Sequence, residues 1–244
     1  MITLLNCGAF SCSKEDGREN QDSVLLPQSK GNGYILAVAD GVGSYEGAKE
    51  IADLAVYNLS RLVVDDVLDP NVALSQIKKS ITDYVKINTH HVKAATTLSY
   101  CYVDADNLHI VHVGDTRIYL KVGDKLKLLT KDHTQHQELM DEKIYTKKEL
   151  SSLDGKNTLT SAISKWLDLK FQHLVIPFEE AMDNHDEVSL FIMSDGAHSF
   201  WEKRPRLSIN TISSPSGFSS SLMRRILRVG ADDDFSLVAA KFKR

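Results

Sequence analysis

Four short acidic motifs hold the residue types best suited to chemistry: Asn20-Gln21-Asp22, Ala39-Asp40-Gly41, Ser194-Asp195-Gly196 and Asp233-Asp234-Phe235-Ser236. Each sets a carboxylate at the end of an apolar or β-branched run, where a buried sheet delivers it to a shared pocket. Several carboxylates in one pocket cannot stay dry and unpaired, because burying like charges together costs several kcal/mol. Hard divalent cations relieve that cost, and an all-oxygen donor set selects magnesium or manganese over zinc. The pattern implies a centre holding two such ions.

The elements that must position these groups follow from the chain's patterning. A sequence of 244 residues that is 42% hydrophobic can bury one large core, so one domain spanning residues 1–244 is expected. Tyr34–Ala39 reads as a buried strand that brings Asp40 to its end. Apolar residues at helical spacing predict helices over about 46–65 (Ile51, Leu54, Ala55, Leu59, Leu62) and 71–92 (Leu74, Ile77, Ile81, Val85). Asp69-Pro70-Asn71 between them reads as a turn and N-cap. Short β-branched runs at 96–103, 108–113, 117–122 and 125–129 have connections too short for parallel crossovers and predict an antiparallel meander. Strands are expected again at 173–176, 188–193 and 235–242, and a helix at 217–229. The order suggests a layered α+β sandwich rather than a doubly wound sheet.

Composition narrows the function classes. The net charge of −4 gives no reason to expect nucleic acid or an anionic membrane as partner. Cys7, Cys12 and Cys101 lack CxxC spacing, which suits a reducing compartment rather than a disulfide framework or zinc site. The first residues do not read as a signal peptide, and no apolar stretch reaches the roughly 18 residues needed to cross a bilayer. A cytoplasmic monomer is expected.

Eight motifs taken together are more specific. Asn20-Gln21-Asp22, Val38-Ala39-Asp40-Gly41-Val42-Gly43, Thr96-Thr97-Leu98, Gly114-Asp115-Thr116-Arg117-Ile118-Tyr119, Leu129-Thr130-Lys131-Asp132-His133-Thr134, Asn157-Thr158-Leu159-Thr160, Met193-Ser194-Asp195-Gly196 and Asp233-Asp234-Phe235-Ser236-Leu237-Val238 occur in one order over about residues 16–240. In that order they resemble the metal-dependent serine/threonine protein phosphatases (PPM, type 2C), in a minimal bacterial-like form. The resemblance implies a four-layer α-β-β-α sandwich of two mainly antiparallel sheets flanked by helices. It also implies a flap-like insertion at about 135–157, and two Mn2+ or Mg2+ ions with a weak third. The expected partners are a phosphorylated protein substrate and an opposing kinase.

By the same resemblance Asp40 bridges both ions, and the Gly41 carbonyl binds one of them. Asp195 and Asp233 complete the first ion's shell, the choice within Asp232-Asp233-Asp234 being open by one position. Asp22 holds the second ion directly or through water; Gln21 stands where glutamate is frequent and brings no charge. Asp115 holds waters or a third ion, whose usual further acid is replaced by Ser199. Arg18, four residues before Asp22 and so one closer than the family's usual spacing, is the candidate for gripping phosphate. Val42 stands where the eukaryotic branch has a proton-donating histidine. His133 reads as structural, and His109 and His112 face opposite sides of a strand, so neither the His133/His136 nor the His109/His112 pair is expected to bind metal.

Each acid also has a plainer reading: a strand-end turn for Asp40, an N-cap for Asp195, a solvated acidic turn for Asp233. The expected activity is hydrolysis of phosphoserine and phosphothreonine by metal-activated water. A catalytically silent regulatory module, or a phosphatase acting on a non-protein phosphoester, is the alternative. Lys143, Lys147 and Lys148 in the flap offer charge to a phosphorylated partner, or only a solvated lysine face.

Overall fold

The computed structural model describes residues 1–42, 45–150, 153, 155 and 158–244. In chain order the strands are β1 (Thr3–Cys12), β2 (Asp22–Lys30), β3 (Gly33–Asp40), β4 (Leu98–Val103), β5 (Asn107–Val113), β6 (Arg117–Val122), β7 (Lys125–Leu128), β8 (Gln172–Pro177), β9 (Glu187–Met193) and β10 (Phe235–Lys243). The helices are α1 (Ala48–Arg61), α2 (Val64–Leu68), α3 (Pro70–Ile87), α4 (Gln135–Asp141), α5 (Lys147–Leu150), α6 (Phe178–Ala181), α7 (Asp195–Lys203), α8 (Ile209–Ile212) and α9 (Pro215–Val229). Two five-stranded sheets form, ordered β1-β10-β9-β6-β7 and β2-β3-β4-β5-β8. Every strand pairing in both is antiparallel.

Three apolar layers hold the sandwich together, and they explain why the central strands read as unbroken hydrophobic runs. On β3, Ile35, Ala37 and Ala39 face α1 and α3, whereas Leu36 and Val38 face the opposite sheet. On β10, Leu237 and Ala239 face α7 and α9, whereas Val238, Ala240 and Phe242 face inward. Alternation with period two fills both faces of a strand that lies between a helix layer and another sheet. The four-layer α-β-β-α arrangement expected from the sequence is the observed one.

Helix starts carry the chemistry their sequence announces. Asp69 caps α3 by accepting from the amides of Asn71 and Val72, with Pro70 in the first turn where its missing N–H costs nothing. The two long helices are shorter than periodicity implies. Leu62 turns extended and ends α1, and a separate short α2 follows. After α3, Asn88 bonds its side-chain amide back to the Tyr84 carbonyl, and Thr89–His91 continues only as a 3-10 turn.

The antiparallel meander needs correction. β4 and β5 pair in one sheet and β6 and β7 in the other, so the chain changes sheets between Val113 and Arg117. Gly114, at φ 101°, makes that sharp exit possible, and β8 takes the place beside β5 that a meander would give to β6. The crossing leaves Asp115 at the seam between the sheets. In the flap region, Thr134 caps α4 by accepting from the Gln137 amide, and α5 follows. Gly43, Asn157 and the flap positions 151, 152, 154 and 156, and the side chain of Lys147, lie outside the described residues.

Candidate metal centre

The centre forms where the layer between the sheets runs out of apolar side chains. Along β3 the inward positions are Leu36, Val38 and then Asp40; along β2 they are Val24 and then Asp22. Asp22 and Asp40 are direct cross-strand partners, so two carboxylates face each other at the same end of the pair. Like charges directly opposite destabilise a sheet, so this pairing needs compensation.

The Asp40 backbone is held in place by the threonine motif. Its amide donates to Thr97 Oγ1 at 2.9 Å, and its carbonyl accepts from the Thr97 amide at 2.8 Å and from Thr96 Oγ1 at 3.0 Å. Gly41 is packed so that a Cβ would lie 2.6 Å from the Ala48 carbonyl oxygen and 2.8 Å from that of Gln21. Its glycine is therefore required by close backbone approach, which also leaves Gly41 bare beside Asp40.

Asp195 and Asp233 arrive from the second sheet. Ser194, not Asp195, is the N-cap residue of α7, which removes the plain capping role for Asp195. Ser194 Oγ donates instead to Asp22 Oδ2 at 2.8 Å and accepts from the Ser236 amide at 2.8 Å, tying the two sheets together beneath the carboxylates. A Cβ on Gly196 would overlap the Asp234 carbonyl oxygen, so only glycine lets α7 approach the Asp233-Asp234 turn. Gly196→Ala is expected to destabilise the fold by about 2–3 kcal/mol, as overpacking against rigid backbone does. Chemical denaturation of the variant checks this; an unchanged midpoint would mean that the turn gives way freely.

Within the acidic triplet the roles separate. Both Asp234 oxygens accept backbone amides of the preceding loop, from Lys14 at 2.9 Å and Gln21 at 2.8 Å. Asp234 is thus an anchor for residues 14–21, a role sequence reading did not assign. Asp233 remains exposed and lines the cleft, with Oδ1 accepting the Asp234 amide at 2.9 Å.

Electrostatics joins the acids into one group. Burial, reinforced by the charges of Asp22, Asp195, Asp115 and Asp233, drives Asp40 well above the usual carboxylate range. Burial pushes Asp22 up to about 7, with Asp195 and Asp234 adding to it and hydrogen bonds from Ser236 and Ser194 opposing it. Burial and the charges of Asp195 and Asp132 push Asp115 up to about 8. Asp22 Oδ1 is buried with no hydrogen-bond partner among the described residues. An orphaned buried carboxylate oxygen, inside a group that repels itself, is the feature a divalent cation relieves. The residues present fit hard cations.

Above these acids lies a cleft of about 730 Å3 lined by Asp115, Asp195, Asp233, Ser199 and, from the flap, Met140 and Leu150. Arg117 and Lys203 are cations in its wall, and Arg117 was missed as a working residue although it lies in the Gly-Asp-Thr-Arg motif. Its guanidinium grips Asp132 in a two-point fork at 2.8 and 2.6 Å and reaches Glu202 at 2.6 Å. Burial disfavours its charge, but the Asp132 bonds and charge outweigh that and hold Arg117 protonated. Ser199 Oγ donates to the Gly196 carbonyl at 3.3 Å. Arg18 sits half-buried in the loop that Asp234 anchors; among the described residues its side chain makes no hydrogen bond or ion pair, and it is not one of the groups lining the cleft.

His112 and His133 make structural hydrogen bonds. His112 is buried, exchanges a hydrogen bond with Ser99 Oγ at 2.8 Å, and is pushed down to about 3 by burial and by His133, so it is neutral. His133 Nδ1 accepts the Gly114 amide at 3.0 Å and fixes the sheet crossing that carries Asp115. His198, also unread in the sequence, donates from Nε2 to the Asp115 carbonyl at 3.1 Å.

A two-sheet sandwich with a group of buried carboxylates at one end of its seam is the framework of a metal-dependent enzyme, and known proteins share it. Residues 12–241 match the family model described as protein phosphatase 2C, and the chain belongs to that family of metal-dependent serine/threonine phosphatases. It is similar to the serine/threonine phosphatase stp of Listeria welshimeri, with 25% identity over 186 residues, covering 72% of this chain and 71% of that protein. Its fold is like that of the Mycobacterium tuberculosis serine/threonine phosphatase PstP/Ppp, with a TM-score of 0.80 and 23% identity over 99% of this chain and 100% of the other. It is also like the PstP catalytic domain solved in complex with two manganese ions, with a TM-score of 0.77 and 22% identity over the whole of both chains.

Proposed function

We propose that this chain removes phosphate from phosphoserine and phosphothreonine of proteins, with Asp22, Asp40, Gly41, Asp195 and Asp233 holding two Mn2+ or Mg2+ ions. The observation that carries this reading is the convergence of carboxylate charges from both sheets on Asp40, whose cross-strand partner Asp22 keeps an orphaned oxygen. Asp40, on which the charges of four other carboxylates act, would be shared by both ions. Asp22 would hold one ion, and Asp195, Asp233 and the Gly41 carbonyl would hold the other. Ions held there would lower the pKa of a bound water toward neutrality and would offset charge on the phosphoryl oxygens.

The chain's own residues do the rest. Asp115, held by the glycine turn below it and by His198 behind it, orients water at the centre. Its position, with serine at 199, gives a third ion only a weak site. Arg18 swings from its anchored loop to fork onto the phosphate, while Arg117 is already committed to Asp132 and Glu202 and shapes the wall. Val42 offers no proton, so solvent protonates the departing serine or threonine oxygen. The flap's Met140 and Leu150 face the cleft and select among peptide segments, and the chain forms one catalytic unit with the flap at about 135–157 as its insertion.

Arg18→Ala is expected to raise KM for a phosphothreonine peptide about tenfold with a smaller change in kcat, the pattern of lost substrate grip. A kcat and KM both equal to wild type would remove Arg18 from the site. The substrate class is tested by Mn2+-dependent rates on a phosphothreonine peptide, a cyclic dinucleotide and ATP. The peptide is expected to lead, and preference for either nucleotide would overturn the protein-substrate reading. No helix among the described residues is long and apolar enough to cross a membrane. With Cys7, Cys12 and Cys101 all free, the proposed setting is the reducing cytoplasm, opposite a protein kinase, with the chain acting as a monomer.

A further inference from the structure

Outside the carboxylate centre, one cluster brings together side chains that favour a softer ion. Glu46, His90 and His91 place a carboxylate oxygen and two imidazole nitrogens within 4.8 Å of one another. None of the three lines the catalytic cleft. His91 is 7% exposed, and its Nδ1 lies 3.0 Å from Tyr84 Oη. With Nδ1–H donating to that phenol oxygen, the Nε2 lone pair is left without a partner among the described residues. A ligating histidine is oriented in this way, by an outer acceptor on its other nitrogen.

The backbone is fitted to the arrangement. Gly47 has φ 88°, and a Cβ there would overlap the His91 ring, so the turn carrying Glu46 packs directly on the imidazole. The His90 and His91 rings stand edge to face with centroids 4.1 Å apart, at the 3-10 turn that ends α3. Two neutral imidazoles and one carboxylate suit zinc and its neighbours, not magnesium or calcium.

We propose that Glu46, His90 and His91 form a second cation site, for a zinc-class divalent ion, separate from the phosphatase centre. Glu46 follows Gly41 by five residues, so a bound ion ties the turn after that metal ligand to the end of α3. The site does not depend on the phosphatase reading. It takes the ion with two histidines neutral and completes its shell with water.

Zn2+ titration of the Asp40→Asn protein, followed through histidine side-chain NMR signals, tests this with the hard centre disabled. Two histidine signals are expected to shift together and saturate at one equivalent. His90→Ala and Glu46→Gln, both at exposed positions, are expected to weaken binding at least as much as loss of an outer-shell partner does, by about 10–100-fold. Tyr84→Phe should weaken it by a smaller factor. Unmoved histidine signals would overturn the proposal, as would undiminished Zn2+ binding in both His90→Ala and Glu46→Gln.

Discussion

Asp40→Asn is expected to lower kcat/KM on a phosphothreonine peptide by about a thousandfold or more, which corresponds to about 4 kcal/mol of lost transition-state stabilisation. The substitution keeps the shape of the side chain and removes only its charge. Asp40's backbone bonds to Thr96 and Thr97 do not involve the carboxylate, so the strand survives. The effect falls on ion binding, because the charges of Asp22, Asp195, Asp115 and Asp233 all act on this one carboxylate. Steady-state kinetics at saturating Mn2+, alongside a circular dichroism melt, separates catalysis from folding. Activity within tenfold of wild type in a folded variant would contradict the bridging role.

The second large effect is on the stability of the metal-free protein. Asp22 and Asp115 titrate near 7 and 8 in the folded chain, and Asp40 is raised as well, against 3.8 for a free aspartate. The folded state then binds more protons than the unfolded state at intermediate pH, so stability falls as pH rises. The loss runs from about pH 4 to about pH 8 and levels off once the folded carboxylates are ionised. Thermal melts in EDTA should show Tm dropping across that window. Mn2+ at about a hundredfold its Kd should restore about 2.7 kcal/mol per ion at the alkaline end. In Asp40→Asn the acid-to-alkaline drop shrinks and the Mn2+ response disappears. A metal-free Tm that climbs with pH would mean that the carboxylates are compensated by the protein itself.

The parts of this molecule that were legible in its sequence are those where one residue type has one physical use. Asp69-Pro70-Asn71 announced a capped helix, and the apolar runs before Asp40 and Asp195 announced strands buried on both faces. What was hidden depends on partners distant in sequence. β1 alternates between exposed and half-buried positions and carries Gly8, where a Cβ would meet the Pro215 carbonyl oxygen at 2.5 Å. Only α9, packed against it much later in the chain, explains that strand. The sheet exchange at Gly114 looks like a hairpin turn locally, because a three-residue link fits either path; pairing with β8 decides it. The separate duties of Asp233 and Asp234 likewise rest on the amides of Lys14 and Gln21, which no local pattern reveals. Gly196 could have pointed to the close approach, since a glycine opening a helix pays for itself only where backbone must pass.

The centre itself is tested most directly by diffraction from crystals soaked in Mn2+, using the anomalous signal of the ion. Two peaks about 3.5–4 Å apart are expected, bridged by Asp40, with Asp22 on one side and Asp195, Asp233 and the Gly41 carbonyl on the other. Well-ordered crystals in which Mn2+ avoids Asp40, or binds only away from these carboxylates, would contradict the account.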